Sequence, residues 1–482
     1  MALSSDALSP DAKRRHLVEH LGPEAVILSG DAMAPYLAEW RGRFPGRALA
    51  VLCPADTRAV SRAVACCADL GLAIVPQSGN TGLVGGGSPQ DDADQVVLSL
   101  ERMDRVRAID TENNTLTVEA GCRLVDVQRA ARDADRLFPL SLPSEAQCRI
   151  GGNLGSNAGG TNVLRYGNTR ELALGLEVVL ADGQVWSGLT GLRKDNSGLD
   201  LRDLFIGSEG TLGIITAAVF RLYPLPRDVQ TALVAVPDPA RAIALLRRLQ
   251  ADSGDTVTAC ELMNTLALEL GRQQAGAAAG DIPDTAPWYL LVELASPNPH
   301  AGLREVLAHS LAEAQAAGEV NKSVVAVDPD QGQRLWSIRE GIPGGQSQAG
   351  ASIKHDISLP ISRLPDFLAQ AAERVRAEDP QVRLCTFGHV GDGNLHFNLS
   401  QPEGMARDAF LAQWTRYNDL IHDLVTGMGG SIAAEHGVGL LKAEALRRHK
   451  DPVELDLMRR IKLALDPENR LNPGKLIPGD EL

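Results

Sequence analysis

Two glycine-rich segments constrain the fold of this chain more than any other feature of the sequence. The first, SGNTGLVGGGSP (78–89), follows a predicted strand–helix–strand pattern at 48–77. Its glycines come after the second strand and are not spaced as GxGxxG at the start of a helix, which excludes a Rossmann fingerprint. The unobstructed backbone N–H groups suit diphosphate oxygens, and Ser78, Asn80 and Thr81 can add hydrogen bonds. For this loop taken alone, a surface turn without a ligand is the alternative.

The second glycine-rich segment spans residues 139–171, with five glycines between Gly151 and Gly160 among small and amide side chains. A buried core does not use such residues, but they let the backbone approach a flat or phosphorylated ligand closely. Two hairpins are predicted around this region: residues 106–122 turn at Glu112-Asn113-Asn114, and residues 172–186 turn at Asp182-Gly183. The two segments together predict a site for a nucleotide-like ligand.

The sequence GHVGDGNLH (388–396) places two histidines around a predicted turn. Asp392-Gly393 is a preferred pair for a two-residue type I′ loop, because both central positions need a positive φ. With that loop, His389 faces His396 directly across the ladder, with Cβ atoms about 4.5–5.5 Å apart. Two imidazoles on one face suit a pair of nitrogens that converge on one divalent ion.

A carboxylate is the expected third ligand, and Glu435 in AAEHGVG is the candidate, with His436 beside it. Of the 10 histidines in the chain, only two precede position 300, and this concentration favours a metal or catalytic site. The alternative is a core histidine that only makes hydrogen bonds. We predict that His389, His396 and Glu435 bind a divalent ion, and zinc is the metal we expect.

Composition excludes several classes of function. The net charge of −14 argues against nucleic acid or an anionic membrane as a partner, because either requires a basic face. The seven cysteines are odd in number and show no CxxC spacing, which indicates reduced thiols and no zinc ribbon. The N-terminal stretch lacks the apolar core of a signal peptide, and no apolar run approaches 18 residues. We expect a cytoplasmic protein of two or three domains.

The composition changes after residue 225, where we place a domain boundary. Two β-α-β patterns follow, at 231–264 and 288–327, and predict a ferredoxin-like duplication. The low-complexity stretch between them, 271–287, is predicted to be a solvated loop.

The order of these motifs resembles a known family. PQSGNTGLVGG, PSEAQCRIGGNLGSNAGG and FIGSEGTLGIIT look like the flavin domain of the vanillyl-alcohol oxidase and p-cresol methylhydroxylase superfamily. IREGIP, KHDISLP, GHVGDGNLHFN, AEHGVG and LNPGKLIP are similar to its FAD-dependent D-2-hydroxyacid dehydrogenase branch. That branch includes D-2-hydroxyglutarate dehydrogenase, D-lactate dehydrogenase and the glycolate oxidase catalytic subunit. The resemblance covers nearly the whole chain.

The resemblance implies an α+β fold in three parts. A two-subdomain p-cresol methylhydroxylase-type FAD-binding domain spans 1–225, and a ferredoxin-like α+β substrate-binding cap spans 226–430. A C-terminal helical segment, 431–482, returns to the FAD domain. Family members with covalent FAD use a His or Cys in their loops, whereas the first loop here carries Gly79-Asn80, so we expect FAD to be bound non-covalently.

The FAD contacts that the resemblance implies lie mostly in the glycine-rich segments. They are Pro76, Ser78, Gly79, Asn80, Thr81, Gly82, Leu83, Gly86, Ser88, Pro143, Ser144, Gly151, Gly152, Ser156, Asn157, Gly159, Glu209, Gly210, Ile215, Asn394 and Asn472.

Substrate contacts are implied in the same way. Arg339 and Lys354 occupy the positions that bind the substrate carboxylate, with Asn398 and His436 as further contacts. The alternative for any one Arg or Lys is a solvated surface charge. One difference from the family pattern bears on which 2-hydroxy acid is the substrate. The 2-hydroxyglutarate enzymes tend to carry Thr four residues after the position of Arg339, where this chain has Pro343.

We therefore expect oxidation of a D-2-hydroxy acid to the 2-oxo acid by hydride transfer to FAD. D-2-Hydroxyglutarate is the first candidate substrate, and D-malate or D-lactate comes next; a D-lactate or glycolate dehydrogenase is the alternative within the family. The metal would polarise the substrate hydroxyl while His436, the predicted catalytic base, takes its proton. Electrons would pass to a separate acceptor, such as an electron-transfer flavoprotein or a quinone pathway, and a homodimer is the assembly we consider.

Two other classes of function are alternatives to this one. A metal-dependent hydrolase would leave the glycine-rich segments unexplained. A non-catalytic flavin-binding protein would leave the histidines unexplained.

Overall fold

The computed structural model describes residues 8–91, 94–276 and 286–477. Its helices are α1 (Pro10–Leu21), α2 (Gly30–Met33), α3 (Thr57–Asp69), α4 (Leu124–Asp133), α5 (Ile150–Gly155), α6 (Val163–Tyr166), α7 (Thr169–Leu172), α8 (Arg202–Phe205), α9 (Pro239–Ser253), α10 (Thr265–Ala275), α11 (Leu303–Ala316), α12 (Pro329–Gln348), α13 (Leu364–Glu378), α14 (Arg407–Leu411), α15 (Trp414–Gly427), α16 (Ala443–His449) and α17 (Pro452–Leu465). Its strands are β1 (Val26–Ile27), β2 (Ala50–Leu52), β3 (Ala73–Gln77), β4 (Gln95–Ser99), β5 (Val106–Asp110), β6 (Thr115–Glu119), β7 (Arg136–Leu137), β8 (Ala173–Val179), β9 (Val185–Gly188), β10 (Ile214–Arg221), β11 (Tyr223–Pro224), β12 (Asp228–Val236), β13 (Val257–Asn264), β14 (Trp288–Ser296), β15 (Lys322–Val325), β16 (Ser352–Ile353), β17 (Asp356–Ser358), β18 (Arg383–His389) and β19 (Asn394–Ser400).

The chain divides into two compact units. The first comprises residues 1–159, 168–224 and 435–482, and the second comprises 160–167 and 225–434. The short segment that contains α6 belongs to the second unit, although the sequence analysis includes it in the domain 1–225.

The first unit contains a small sheet whose strand order is β1-β2-β4-β3, with β2, β4 and β3 parallel. The helix α3 connects two of these strands, as the sequence predicts. Its first turn is capped by Asp56, which accepts from Ala59 N at 2.8 Å. The buried side chains of Val60, Val64 and Cys67 follow the helical period and join the core beneath the sheet.

A second sheet of the first unit is antiparallel, with strand order β5-β6-β10-β8-β9. Both hairpins that the sequence predicts in this region are present, β5–β6 and β8–β9. Asn114 at the first turn and Gly183 at the second have positive φ, which matches the turn residues that guided the prediction.

The second unit is built on one eight-stranded sheet. Its strands run β15-β12-β14-β13-β18-β19-β16, and β17 also pairs with β19. The first four strands are joined through α9 and α11 as two β-α-β units with antiparallel neighbours, so the predicted ferredoxin-like duplication is confirmed. The first residues of the predicted loop 271–287 are helical, because α10 continues to Ala275. Residues 277–285 of this loop lie outside the described part of the chain.

Helices cover both faces of this sheet. On one face α9, α11, α13 and α15 form a large apolar core, and on the other α10 and α12 pack over a smaller one. Strand β13 shows the alternation clearly, because Cys260 and Leu262 join the large core whereas Met263 joins the smaller one. Glu261 lies on the face of Met263, which places a carboxylate beneath α12.

No helix among the described residues is both long enough and apolar enough to cross a bilayer. All seven cysteines are buried and free, as the odd count and spacing indicate.

Candidate functional site

The two glycine-rich segments pack against each other in the first unit. A Cβ on Gly79 would lie 2.8 Å from Gln147 O and 2.9 Å from Arg149 N, so this approach requires glycine. The neighbouring Ser78 donates through Oγ to Ala120 O at 3.0 Å. The predicted nucleotide loop is therefore fixed at its base by backbone contacts.

The tip of the first loop is open. Gly82 is exposed, and an added Cβ there would meet no atom within 4 Å. Asn80 adopts a positive φ of 50° and holds the loop by donating to Ala38 O at 2.9 Å. Ser88 Oγ is buried without a hydrogen-bond partner among the described residues. An open glycine loop beside an unpaired hydroxyl fits a diphosphate-containing cofactor such as FAD.

A third turn, at Glu209, adjoins these segments. Glu209 N donates to Gly155 O at 2.8 Å, and the residue adopts a positive φ of 52°. Its carboxylate accepts from Val438 N and Gly439 N, both at 2.7 Å. Burial raises the pKa of Glu209, although these two N–H groups oppose the rise. The AEHGVG motif thus binds the Glu209 turn through its backbone N–H groups.

Asn472 links the same loops. Its Nδ2 donates to Gly86 O at 2.9 Å and to Glu209 O at 2.7 Å, and its Oδ1 accepts from Lys475 Nζ at 3.0 Å. Asn472 is a predicted FAD contact, and its side chain binds protein groups that shape the loops. We find that it positions the predicted contacts Gly86 and Glu209.

Every predicted FAD contact except Asn394 lies in the first unit. Asn394 lies in the second, where its Nδ2 donates to Asp356 Oδ1 and Ile357 O, each at 3.0 Å. Its Oδ1 is buried and has no partner among the described residues.

The histidine hairpin differs from the prediction in its register. Phe387, rather than His389, pairs with His396, and the loop has four residues, 390–393. Asp392 is not among the residues with positive φ, so the turn is not type I′. The longer loop shifts the register by two residues, and an even shift keeps both histidines on one face. Their ring centroids are 6.1 Å apart, a diagonal rather than a direct pair.

His389 is held by a residue that the sequence analysis missed. It lies opposite Glu261 in the β13–β18 pair, and its Nδ1 hydrogen-bonds Glu261 Oε1. The other carboxylate oxygen accepts from Arg339 Nε at 2.6 Å. Burial of Glu261 opposes ionisation, but Arg339 and His389 outweigh it and lower the pKa of this carboxyl to about 2. Glu261 therefore orients both a predicted carboxylate binder and a predicted metal ligand.

Further polar side chains share this face of the sheet. Asp356 pairs with His396 across β17–β19, and each offers a ligand atom within 4.8 Å of the other. The same register places Lys354 opposite Asn398. Two cations, a carboxylate and an imidazole are thus brought onto one face, and Arg339 Cζ lies 4.7 Å from the centroid of the Phe387 ring.

The amide of Asn398 is engaged by the protein. Its Nδ2 donates to Gln346 Oε1 at 3.0 Å, and its Oδ1 accepts from His355 N at 3.3 Å. Gln346 in turn donates to Ser400 Oγ at 3.0 Å. This predicted substrate contact therefore belongs to a buried amide network beside Lys354.

The cationic side chains near this face affect the pKa of the Cys385 thiol. Burial raises the pKa of the Cys385 thiol to about 12, while Lys354, Arg339 and Arg383 oppose the rise. A thiol with so high a pKa stays neutral and is a poor nucleophile. The positive charge of Arg339 and Lys354 is thus placed near an inert group.

Glu435 and His436 belong to the first unit, at the start of its C-terminal segment. Glu435 Oε1 lies 3.5 Å from His436 Nε2, and both side chains are partly exposed. These two residues offer carboxylate and imidazole atoms suited to a divalent ion.

The residues that the sequence analysis missed carried weak signals. Glu261 is the one charged residue inside the apolar strand VTACELMN, and a charge inside such a run indicates a buried partner. Asp356 lies two residues after Lys354, on the same strand face, which is a reason to include it among the candidate ligands. Gln346 on α12 has no comparable signal.

Both parts of the chain match known protein families. Residues 48–188 match the FAD binding domain family, and residues 225–476 match the family of FAD linked oxidases, C-terminal domain. An FAD-binding domain accounts for the glycine-rich segments, so a metal hydrolase without flavin is excluded.

Similar proteins cover nearly the full chain. The mitochondrial D-2-hydroxyglutarate dehydrogenase of Bos taurus is 36% identical over 466 residues, which are 96% of this chain and 82% of that protein. A D-2-hydroxyglutarate dehydrogenase of Xanthomonas citri pv. viticola is 35% identical over 92% of each chain. A D-2-hydroxyglutarate–pyruvate transhydrogenase of Saccharomyces cerevisiae is 32% identical over 93% of this chain and 90% of that protein.

Solved structures show the same fold. Substrate-bound p-cresol methylhydroxylase matches with a TM-score of 0.76 at 18% identity, over 98% of this chain and 97% of that one. The α+β fold with a p-cresol methylhydroxylase-type flavin domain is therefore confirmed.

Proposed function

This chain belongs to the FAD-linked oxidase family together with the D-2-hydroxyglutarate dehydrogenases, and from that membership we propose that it oxidises D-2-hydroxyglutarate to 2-oxoglutarate. D-Malate and D-lactate are the next candidates. The observation that supports this proposal is the polar face of the second-unit sheet, where Arg339 and Lys354 lie beside Asp356 and His396.

Charge supports an anionic substrate at this face. The protein carries a net charge of −14, so an organic anion needs a local group of cations to bind. Arg339 is 7% exposed, and its Nε bond to Glu261 fixes the plane of the guanidinium. A fixed planar fork matches a carboxylate, and Lys354 adds a point charge nearby. We assign the substrate carboxylates to these two residues.

FAD is proposed to bind non-covalently on the first unit. Residues 78–83 and 151–159 would hold it, with the Glu209 turn fixed by Asn472 behind them. When bound, FAD supplies the hydride acceptor. The absence of His and Cys from 78–89 supports a non-covalent link.

A divalent ion, zinc by preference, is proposed to bind His389, His396 and Glu435. Asp356 is a further ligand candidate, because it faces His396 and is oriented by Asn394. Such a set of carboxylate and imidazole ligands suits zinc or manganese, and the bound ion would lower the pKa of the substrate hydroxyl.

His436 is proposed as the general base. It would accept the hydroxyl proton on a ring nitrogen, and Glu435, with Oε1 3.5 Å from His436 Nε2, would stabilise the imidazolium that results.

The electron acceptor is proposed to be a separate molecule, such as an electron-transfer flavoprotein or a quinone. The transhydrogenase relative suggests a second candidate, in which pyruvate or another 2-oxo acid re-oxidises the flavin. Product analysis with pyruvate as the sole acceptor separates the two, because only a transhydrogenase would form a 2-hydroxy acid from it. We also propose that the protein forms a homodimer and is located in the cytoplasm.

The test is a panel of D- and L-2-hydroxy acids and their esters, assayed with an artificial dye acceptor on wild type and Arg339→Ala. We expect D-2-hydroxyglutarate to be the best substrate, with the L-enantiomer and the esters poor. Loss of one charge-assisted contact costs about 1.5–3 kcal/mol, so Arg339→Ala should lose about 10- to 100-fold in kcat/KM for the free acid.

Arg304→Ala is the matched control, because Arg304 is an exposed arginine of the same unit on α11, which packs on the opposite face of the sheet. It should keep wild-type kcat/KM. Equal rates for acid and ester, or an unaffected Arg339→Ala, would show that the carboxylate is bound elsewhere.

A further inference from the structure

A cleft in the first unit is lined by four arginines. Arg170, Arg193, Arg202 and Arg221 surround a volume of about 270 Å³, together with the carboxylates of Glu171 and Asp203. None of these residues is among the predicted FAD or substrate contacts. The lining charges leave an excess of two positive charges in a protein whose net charge is −14.

Two of the arginines are compensated within the protein. Arg170 donates through Nη1 to Asp203 O and through Nη2 to Ile206 O, each at 2.7 Å. Arg202 donates to Ala173 O at 2.8 Å and forms an ion pair with Asp200, which is not a lining residue of the cleft. The Asp203 carboxylate lies 3.5 Å from both guanidinium groups, so one carboxylate is shared by two cations. These contacts fix the wall of the cleft.

The other two arginines are not compensated. Among the described residues, neither the Arg193 nor the Arg221 guanidinium has an ion-pair or hydrogen-bond partner, and Arg221 Nε is itself buried. A buried charged donor without a partner is costly, since its hydration has been lost without replacement. Arg221 is the last residue of β10 and pairs with Thr115, which fixes its backbone at the cleft.

We propose that this cleft binds a small dianion, carried by a phosphate group or a dicarboxylate. An oxyanion would supply acceptors to Arg221 and Arg193, and its negative charge would offset the positive excess that remains after Asp200 pairs with Arg202. Guanidinium groups are the side chains best matched to bidentate recognition of such oxygens. The pre-formed wall of Arg170 and Arg202 lowers the ordering cost of binding.

The test is calorimetric titration of FAD-saturated protein with inorganic phosphate and with malonate, at an ionic strength held constant with sodium chloride. We expect saturable binding of at least one dianion. Arg221→Gln should weaken it about tenfold or more, as expected for one charge-assisted contact. Arg193→Gln, at an exposed position whose loss cannot disturb the core, should also weaken it.

Arg132→Gln is the control, because Arg132 is an exposed arginine of the same unit on α4, outside the cleft. It should bind as wild type does. Preference for phosphate over malonate, or the reverse, identifies the source of the dianion. The proposal is overturned if neither probe binds saturably, or if both cleft variants bind as tightly as Arg132→Gln does.

Discussion

Glu261→Gln is the substitution that tests the organisation of the second-unit site most sharply. The carboxylate is fully buried and bridges Arg339 and His389. Lowering a carboxyl pKa from 4.5 to about 2 corresponds to about 3 kcal/mol of stabilisation of the folded state. Glutamine keeps the volume but removes the charge, which leaves Arg339 buried without its counterion. We expect a loss of about 3 kcal/mol in the free energy of unfolding.

The pH dependence has a definite sign. Because the folded pKa of Glu261 lies below the unfolded one, its stabilisation is complete above pH 4.5 and is lost as the pH falls towards 2. The wild-type advantage over Glu261→Gln should therefore shrink below pH 4.5. Thermal unfolding of the two holoproteins measures this difference in stability. At neutral pH the unfolding midpoint of Glu261→Gln should lie about 6–12 °C below that of wild type if the second unit unfolds cooperatively.

Glu293→Gln is the matched control. Glu293 is also buried, on the neighbouring strand β14, but its partners are Trp336 Nε1 at 2.8 Å and the hydroxyls of Thr258 and Thr231, and burial raises its pKa. A carboxyl whose folded pKa is raised destabilises the fold as the pH rises, so a neutral glutamine should be tolerated. If Glu261→Gln is as stable as wild type, or if both variants lose the same stability, the ion-pair account is wrong.

Two predictions concern the cofactors. Acid precipitation should release FAD from the yellow protein, because 78–89 carries no His or Cys; flavin retained in the pellet would contradict a non-covalent link. Chelator should abolish turnover but leave FAD bound, and zinc, cobalt or manganese should restore it, whereas His389→Ala and His396→Ala should lose both metal and activity. Full turnover by metal-free protein would remove the metal from the mechanism.

Much of the fold followed from local patterns in the sequence. The strand–helix–strand unit before the first glycine loop, the two antiparallel hairpins and the ferredoxin-like duplication all have strong periodicity and turn residues, and all are present. The last helix lies in the predicted C-terminal helical segment and begins at Pro452, which follows the capping residue Asp451.

The sequence predictions were wrong or incomplete where tertiary contacts determine the structure. The Asp392-Gly393 pair favours a two-residue loop, but Val390 N donates to Cys260 O at 3.0 Å and a Cβ on Gly393 would lie 2.1 Å from Leu359 O. Contacts with neighbouring strands thus select a longer loop. The role of Glu261 depends on β13 pairing with β18, more than 120 residues away, which no local pattern specifies.

The residues of the candidate site were predicted from sequence motifs rather than from strand pairing or spacing. The chain's motifs identified Arg339, Lys354 and His396, and the structure brings these three residues onto one sheet face. Asn472, a predicted FAD contact, also ties Gly86 to Glu209 through its side chain, a role that its motif does not indicate.

The most direct test of the account is an anaerobic titration of the FAD-loaded protein with D-2-hydroxyglutarate, followed by flavin absorbance. We predict that the D-enantiomer bleaches the flavin, with one 2-oxoglutarate formed per flavin reduced, and that the L-enantiomer does not. Dithionite serves as the control that the flavin is reducible. A flavin that dithionite reduces but D-2-hydroxyglutarate, D-malate and D-lactate all leave oxidised would contradict the proposed reaction.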